Sequence, residues 1–221
     1  GGAILPAPER TIYVLDEGHH LADKALKHFR MELGVKAQRQ WLKQVEGGLE
    51  QFVAQAGMPA GLERVLSEAP GHLRTLTQQV SLLWPLVMDL MNTEDRLRFS
   101  FGKTPEALRD LLSSMRAPLD PVWQCLDKLN DLVQKSLDPK EEGLLNRDIA
   151  ENWQAPVGMM LARAEQMSEA LSWLATEEKE GELPVARWLT RTPYGEDWDI
   201  ILSASPISVA DQLRQNLWNR C

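Results

Sequence analysis

A long helical pattern dominates the 221-residue chain. From about residue 21 to about residue 183, apolar residues recur at alternating steps of three and four, which places them on one face of an α-helix. Such faces suit antiparallel helices that pack at small crossing angles, as in coiled coils and bundles. The pattern therefore predicts a mainly α chain, built on a long antiparallel bundle of four or five helices.

Four apolar seams carry this prediction: Leu42, Val45, Leu49 and Phe52; Leu73, Leu76, Val80, Leu83, Val87 and Leu90; Leu119, Val122, Leu126, Leu129 and Val133; Trp153, Val157, Met160, Ala164, Met167, Leu171 and Leu174. Proline and glycine predict breaks between helices at residues 57–59, 68–71, 102–105 and 138–139. Pro85 and Pro156 fall within seams and predict kinks. Thr104, which precedes Pro105 and Glu106, predicts a helix N-cap.

Short strands are predicted on both sides of the helical pattern. Residues 11–15, Thr-Ile-Tyr-Val-Leu, are typical of a strand that is buried on both faces of a parallel sheet. Residues 185–189 and 198–202 indicate two strands joined by a turn, and Ser208 caps a final helix. Because one strand cannot form a sheet alone, we expect these flanks to belong to an incomplete α/β domain. The missing initiator methionine and the helical ending also favour a piece of a longer protein.

Composition narrows the class of protein. The net charge of −8 argues against a nucleic-acid-binding module that works by itself. Two cysteines, Cys125 and Cys221, are too few for a disulfide framework or a four-cysteine metal site, so a reducing cytoplasm is expected. The sequence shows neither an apolar stretch of about 18 residues that could span a bilayer nor a signal peptide.

The ionisable groups are most concentrated in Asp16-Glu17-Gly18-His19-His20, directly after the predicted strand at residues 11–15. Ligands bind at the carboxyl ends of strands in open α/β sheets. There an aspartate can hold Mg²⁺ through water, and the glutamate after it can deprotonate the water that attacks a γ-phosphate. The order D-E-x-H after an apolar strand is the helicase form of the Walker B box, so the segment predicts nucleotide hydrolysis.

Two other interpretations of this segment stay open. The acids could form a surface cluster that caps a helix, in which case the chain would be a non-enzymatic helical adaptor that binds partner helices along its seams. Two histidines and two acids could also bind a metal. However, His19 and His20 are adjacent rather than four residues apart, so they cannot share a helix face as in zinc proteases.

Three features of the chain are the run VLDEGHHLAD at residues 14–23, the helical stretch after it and ISVADQL at residues 207–213. Together they resemble the DinG family of bacterial superfamily 2 DNA helicases, relatives of the XPD helicase. The resemblance implies that residues 22–183 form a helical arch-like insertion. Residues 1–21 would then supply a motor-domain strand and the DEGHH box. Residues 184–221 would return to the motor domain as a strand pair and a helix.

The resemblance also implies roles for individual residues. Asp16 would bind the nucleotide through water-coordinated Mg²⁺, Glu17 would be the catalytic base, and His19 would couple nucleotide state to DNA movement. His20 matches the second histidine of the family's DEGHH variant and receives no separate role. The implied cofactors are ATP and Mg²⁺. The parent could carry an iron–sulfur cluster, but its ligands are not in this chain.

As the family implies, the intact protein would be a cytoplasmic DNA-repair helicase that moves 5′ to 3′ on single-stranded or forked DNA, without membrane contact, together with the rest of its motor domains. The sequence has no G-x-x-x-x-G-K-[ST] loop to hold phosphates. We therefore expect the chain alone to be inactive.

One further stretch interleaves basic and aromatic residues: Arg96, Arg98 and Lys103 surround Phe99 and Phe101. It fits either a loop that touches DNA or a solvated short strand or turn.

Overall fold

The computed structural model describes residue 14 and residues 16–219, except residues 93, 139, 141–144, 178–184 and 215–217. The strand predicted at residues 11–15 therefore lies outside the described residues, apart from Val14. The elements are α1 (Leu21–His28), β1 (Met31–Gly34), α2 (Val35–Ala56), α3 (Glu63–Met91), β2 (Arg96–Arg98), α4 (Glu106–Ser114), α5 (Arg116–Leu137), α6 (Arg147–Ala175), β3 (Val185–Tyr194), β4 (Asp197–Pro206) and α7 (Ala210–Leu213). Short 3₁₀ turns lie at Gly18–His20 and Ser100–Gly102. The prediction of a mainly α fold with a few strands is confirmed.

The four predicted seams form the core. Every seam residue is buried except Leu90, which is half-buried. Helix α5 packs against α3 and α6, and α2 packs against α3. Between α2 and α6, the Phe52 and Trp153 rings meet edge to face at 5.5 Å. Each buried Leu, Val or Phe side chain contributes about 1.5–3 kcal/mol relative to an exposed one, so the seams supply the main stabilising term of the fold.

Two predictions about helix ends are wrong. The break expected at residues 68–71 is absent, because α3 continues through Pro70. Burial of Leu66, Ala69 and Leu73 on one face outweighs the cost of the proline, about 3 kcal/mol. The expected N-cap, Thr104, does not cap α4. Its hydroxyl donates instead to the Leu174 carbonyl at the end of α6, at 2.6 Å.

A four-stranded antiparallel sheet, in the order β1-β4-β3-β2, lies against the helices. The hairpin of β3 and β4 confirms the two predicted strands, and each is longer than expected. Strand β1 was not predicted, and β2 lies in the stretch at residues 96–103 for which a short strand or turn was one of two alternatives. One row across the sheet pairs Leu33, Leu202, Leu189 and Leu97 in register, and these residues face the core. The opposite face carries the alternate residues of each strand.

The sheet joins distant parts of the chain. Strand β1 precedes α2 and β2 follows α3, so both lie within the stretch predicted to be a separate helical insertion. Both pair with the hairpin that was expected to return to the motor domain. A domain boundary at residues 183–184 would therefore separate β3 and β4 from their partners.

Two buried charged side chains tie the hairpin to the helices. The Asp199 carboxylate, 1% exposed, accepts hydrogen bonds from the backbone N–H groups of Lys36 at 2.8 Å and Ala37 at 3.0 Å. It thereby caps the N-terminus of α2. The Arg187 guanidinium, 4% exposed, donates to the carbonyls of Trp173, Thr176 and Gly102 at 2.7–2.8 Å. Bundle and sheet are therefore linked by hydrogen bonds as well as by apolar packing.

Candidate functional site

The DEGHH segment forms an exposed turn that leads into α1. Asp16 and Glu17 lie in the turn, and Gly18–His20 form one 3₁₀ turn directly before the helix. Glu17 adopts a left-handed backbone, with φ 54° and ψ 41°. The His20 N–H donates to the Glu17 carbonyl at 2.9 Å. This sharp turn keeps both acidic side chains and both imidazoles at the surface.

The structure brings two of the predicted site residues, Glu17 and His19, together with His20. The Glu17 carboxylate lies 3.1 Å from Nδ1 of His19. The rings of His19 and His20 stack in a tilted arrangement with centroids 4.0 Å apart. Potential ligand atoms of Glu17, His19 and His20 all lie within 4.8 Å of one another. Glu17 and His19 are therefore in direct contact.

Asp16 is held separately from this group. Its Oδ1 accepts a hydrogen bond from the Glu17 backbone N–H at 3.0 Å, which fixes the carboxylate at the start of the turn. Mg²⁺ prefers carboxylate and water oxygens to imidazole nitrogens. The Asp16 carboxylate could therefore hold Mg²⁺ through water while the Glu17 carboxylate stays paired with His19.

The acids do not cap α1. Its N-cap is His20, whose side chain makes no capping hydrogen bond, and no described residue of the segment caps the first turn. The left-handed Glu17 likewise makes no side-chain cap to the 3₁₀ turn. The helix-cap interpretation of DEGHH thus lacks the hydrogen bonds that it requires.

Helix α1 links this segment to the sheet. Its eight residues span about 12 Å, and the helix packs beside β4 with Ala25 buried. After α1, the guanidinium of Arg30 lies over the Trp188 ring of β3, 5.3 Å from its centroid. The DEGHH segment and the outer face of the sheet are therefore connected by one short helix.

The interleaved stretch at residues 96–103 divides between core and surface. Arg96 and Arg98 are exposed on strand β2, whereas Phe99 is buried. Phe101 is 90% exposed in the 3₁₀ turn after the strand. The prediction of a short strand and turn is confirmed, and the prediction of DNA contact stays open. Lys103 lies apart, in a cleft with Thr104, Arg109, Thr176, Glu177 and Arg187.

Sequence reasoning missed Arg30 and left open whether Trp188 is exposed. Trp188 pairs directly with Arg98 across β3 and β2, and the Arg96 guanidinium lies 5.4 Å from its ring centroid. Arg30 contacts the same ring from the end of α1. The alternating exposure of β3 could have indicated Trp188, but only the strand register brings it next to Arg98. We call Arg30, Arg96, Arg98, Phe101 and Trp188 the basic-aromatic face.

A second group of stacked cations lies where α2, α3 and the hairpin meet. Lys36 lies over the rings of Trp84 and Trp198, at 4.6 and 5.2 Å from their centroids. Arg191 lies 4.4 Å from the Trp198 centroid. Hydrogen bonds from the Lys36 ammonium and the Trp198 backbone lower the pKa of Asp197. This group joins helices to the hairpin, so its role is structural.

The structure thus defines the class of protein: a mainly α chain in which an exposed Asp-Glu-Gly-His-His segment leads through one short helix to a helical bundle that carries one small sheet. No family model matches the chain. Curated relatives do match it over its whole length. It is 28% identical to an ATP-dependent DNA helicase DinG of Photobacterium profundum over 222 residues, covering 100% of this chain and 31% of that protein.

Two other relatives give the same result. The DinG helicase of Escherichia coli strain K12 is 29% identical over 227 residues, covering 98% of this chain and 30% of that protein. The DinG helicase of Salmonella typhimurium is 26% identical over 225 residues, again covering 98% and 30%. The predicted resemblance to DinG helicases is therefore confirmed, and the chain spans about 30% of the length of these relatives. No helix in the described residues is long and apolar enough to cross a lipid bilayer.

Proposed function

We propose that this chain is the part of an ATP-dependent DNA helicase that carries the residues for ATP hydrolysis at DEGHH and a helical arch. The observation that carries the proposal is the whole-length similarity to DinG helicases. The exposed DEGHH turn adds local support, because its acids are free of helix-capping bonds and point to solvent, where the rest of a motor could meet them.

Each residue of the segment has a proposed task. Asp16 holds Mg²⁺ through water, and the metal, when bound, offsets the charge of the phosphates. Glu17 accepts the proton of the water that attacks the γ-phosphate. A hydrogen bond between Glu17 and His19 requires the proton on Nδ1, because a carboxylate only accepts. His19 therefore orients Glu17 and responds when that carboxylate takes a proton.

The structure suggests how this response reaches the rest of the chain. His19 lies one residue before the N-cap of α1, and α1 packs beside β4. A change in the Glu17–His19 pair would therefore shift the start of a helix that rests on the sheet. In this proposal His19 couples the nucleotide state to DNA movement through α1.

The proposed domains follow the resemblance, with one change. Residues 1–21 belong to the first motor domain and residues 22–183 form the arch. We assign the hairpin to the arch as well, because β3 and β4 pair with β1 and β2. The return to the motor domain then begins at about residue 207 rather than 184.

The remaining proposals concern the intact protein. It would move 5′ to 3′ on single-stranded or forked DNA, in DNA repair in the cytoplasm, together with the motor segments outside this chain.

The two cysteines of the chain cannot supply the four thiolates of an iron–sulfur cluster. Cys125 is also buried, which raises its thiol pKa to about 11. The ligands of any such cluster lie in the rest of the parent.

The test is ATP hydrolysis by the intact parent protein. We expect Glu17→Gln to lower the DNA-stimulated rate at least about 100-fold, because it removes a general base, while nucleotide binding is retained. Asp16→Asn should weaken the dependence on Mg²⁺. Glu50→Gln, an exposed acid on α2, is the matched control and should keep the rate of the unchanged protein. A Glu17→Gln protein with a near-normal rate would refute the proposal.

A further inference from the structure

We propose that the basic-aromatic face binds single-stranded DNA, with a base stacked on Phe101 and phosphates bound by Arg30, Arg96 and Arg98. The inference rests on the proposed function only in taking DNA as the polymer. It assigns a contact site that is separate from the residues of ATP hydrolysis.

Strand register places the arginines on the open side of the sheet. In β2, Leu97 faces the core, so its neighbours Arg96 and Arg98 project from the opposite face. Arg98 is directly opposite Trp188, and Arg96 is diagonal to it. The ring is therefore flanked by guanidinium groups on a sheet surface. Aromatic and basic side chains on a sheet are a common platform for single-stranded nucleic acids.

Phe101 is held in an exposed position by its backbone. Its φ of 53° and ψ of 23° lie in the left-handed region, which a phenylalanine rarely adopts. The Gly102 N–H donates to the Phe99 carbonyl at 3.0 Å, and the buried Arg187 donates to the Gly102 carbonyl at 2.8 Å. A Cβ on Gly102 would lie 2.0 Å from the Val185 carbonyl oxygen, so the turn fits closely against β3. A fixed turn thus keeps a large apolar ring in water.

A cleft of about 480 Å³ adjoins the ring. Arg96, Arg98, Phe101, Trp188 and Ile207 contribute to its walls. Its size lies within the range of small-molecule sites. A base that stacks on Phe101 could therefore enter the cleft while its phosphates stay near the two β2 arginines.

The arginines are available for phosphates. Among the described residues, neither Arg96 nor Arg98 forms an ion pair. Arg30 has only a 3.5 Å contact with Glu32, and both side chains are exposed, so this pair is weak. The net charge of −8 will keep overall affinity low. If each arginine binds one phosphate of a single strand, the slope of log affinity against log salt should be about −2.

The test measures binding of a fluorescein-labelled oligothymidine to the 221-residue chain by fluorescence anisotropy at low salt. We expect Phe101→Gly to weaken binding about tenfold, since a stacked base is lost. Its thermal midpoint should not fall, because glycine adopts positive φ without strain. Phe101→Trp should restore binding. Arg96→Glu with Arg98→Glu should weaken binding more than tenfold and flatten the salt slope.

Arg74→Glu, an exposed arginine on α3, is the matched charge control and should change affinity less than twofold. Three results would overturn the inference. The unchanged chain could fail to bind the oligonucleotide, or Phe101→Gly could bind it as tightly as the unchanged chain. The third result is an equal loss of affinity in Arg74→Glu and in the Arg96→Glu, Arg98→Glu double variant. These outcomes are independent of ATP hydrolysis by the parent. If ATP hydrolysis by the parent requires Glu17 but the chain binds no oligonucleotide, this inference alone is refuted. If the chain binds the oligonucleotide but ATP hydrolysis by the parent does not require Glu17, the proposed function alone is refuted.

Discussion

Asp199 provides the sharpest test of whether the hairpin and the helical bundle fold as one unit. Its carboxylate comes from β4 and caps α2, which lies more than 160 positions earlier in the chain. Asp199→Ala removes the acceptor of two N–H groups at the N-terminus of a 22-residue helix. Asp199→Asn keeps one acceptor oxygen but loses the charge.

The size of the effect follows from the two hydrogen bonds. Loss of an N-cap costs about 0.5–2 kcal/mol, and each bond to a charged group contributes about 1.5–3 kcal/mol. Because Asp199 is buried, water cannot easily replace its oxygens. We expect Asp199→Ala to lower the free energy of unfolding by about 3 kcal/mol, and Asp199→Asn by about half as much.

The assay is urea unfolding of the 221-residue chain, followed by circular dichroism and by tryptophan fluorescence. Circular dichroism reports the helices. Of the eight tryptophans that contribute to the fluorescence, Trp84 on α3 and Trp198 on β4 lie at the junction between bundle and hairpin, with ring centroids 5.0 Å apart. The two transitions should coincide in the unchanged chain and shift together in the variants. Glu196→Ala, which changes an exposed acid three residues away, is the control and should have a much smaller effect.

Two results would refute the reasoning. A loss below about 1 kcal/mol in Asp199→Ala would mean that the cap contributes little. A fluorescence transition that shifts while the helical transition does not would mean that hairpin and bundle unfold separately. The second result would also restore the hairpin to the motor domain.

The other predictions concern the same junction. A chain of residues 21–206 should unfold cooperatively when followed by circular dichroism. A chain of residues 22–183 should be less stable and less cooperative, because β1, β2 and α2 lose their partners in the hairpin. Equal stability of the two chains would contradict this prediction. The lowered pKa of Asp197 means that its pairing with Lys36 stabilises the fold above the ordinary aspartate pKa of about 3.9 and is lost as pH falls through the acid range. The stability difference between the unchanged chain and Asp197→Asn should therefore shrink below about pH 4, and a difference that grows with acidity would be inconsistent with the pairing.

The sequence predicted the bundle well because helical seams are local. Val80 or Leu126 can be assigned to a buried face from neighbours three and four positions away. The hairpin was equally local, since its two strands flank a two-residue turn at Gly195 and Glu196.

What the sequence missed depends on distant partners. Strand β1 has four residues, too few for a periodic pattern, and it pairs with β4 of the hairpin. Nothing in the local sequence indicates that Asp199 is buried, because the N–H groups that it binds belong to α2. The local sequence predicts a helix break at Pro70 because the free-energy cost of a proline is local, while the packing that outweighs this cost comes from other helices.

The candidate site shows the same division. DEGHH was recognisable as a motif, but the pairing of Glu17 with His19 and the separate position of Asp16 come from a left-handed turn. Phe101 was singled out by composition. Its exposure depends on a turn that Arg187 holds through the Gly102 carbonyl, and no local pattern connects Arg187 to this turn.

ATP-driven strand separation by the intact parent protein tests the central claim most directly. The substrate is a forked duplex with a 5′ single-stranded tail, and the proteins compared are the unchanged parent and its Glu17→Gln and Glu50→Gln variants. We predict that the unchanged protein and Glu50→Gln separate the strands only with ATP and Mg²⁺, while Glu17→Gln binds the fork but does not separate it. Strand separation by Glu17→Gln at the rate of the unchanged protein would contradict the assignment of this chain to the hydrolytic machinery of a helicase.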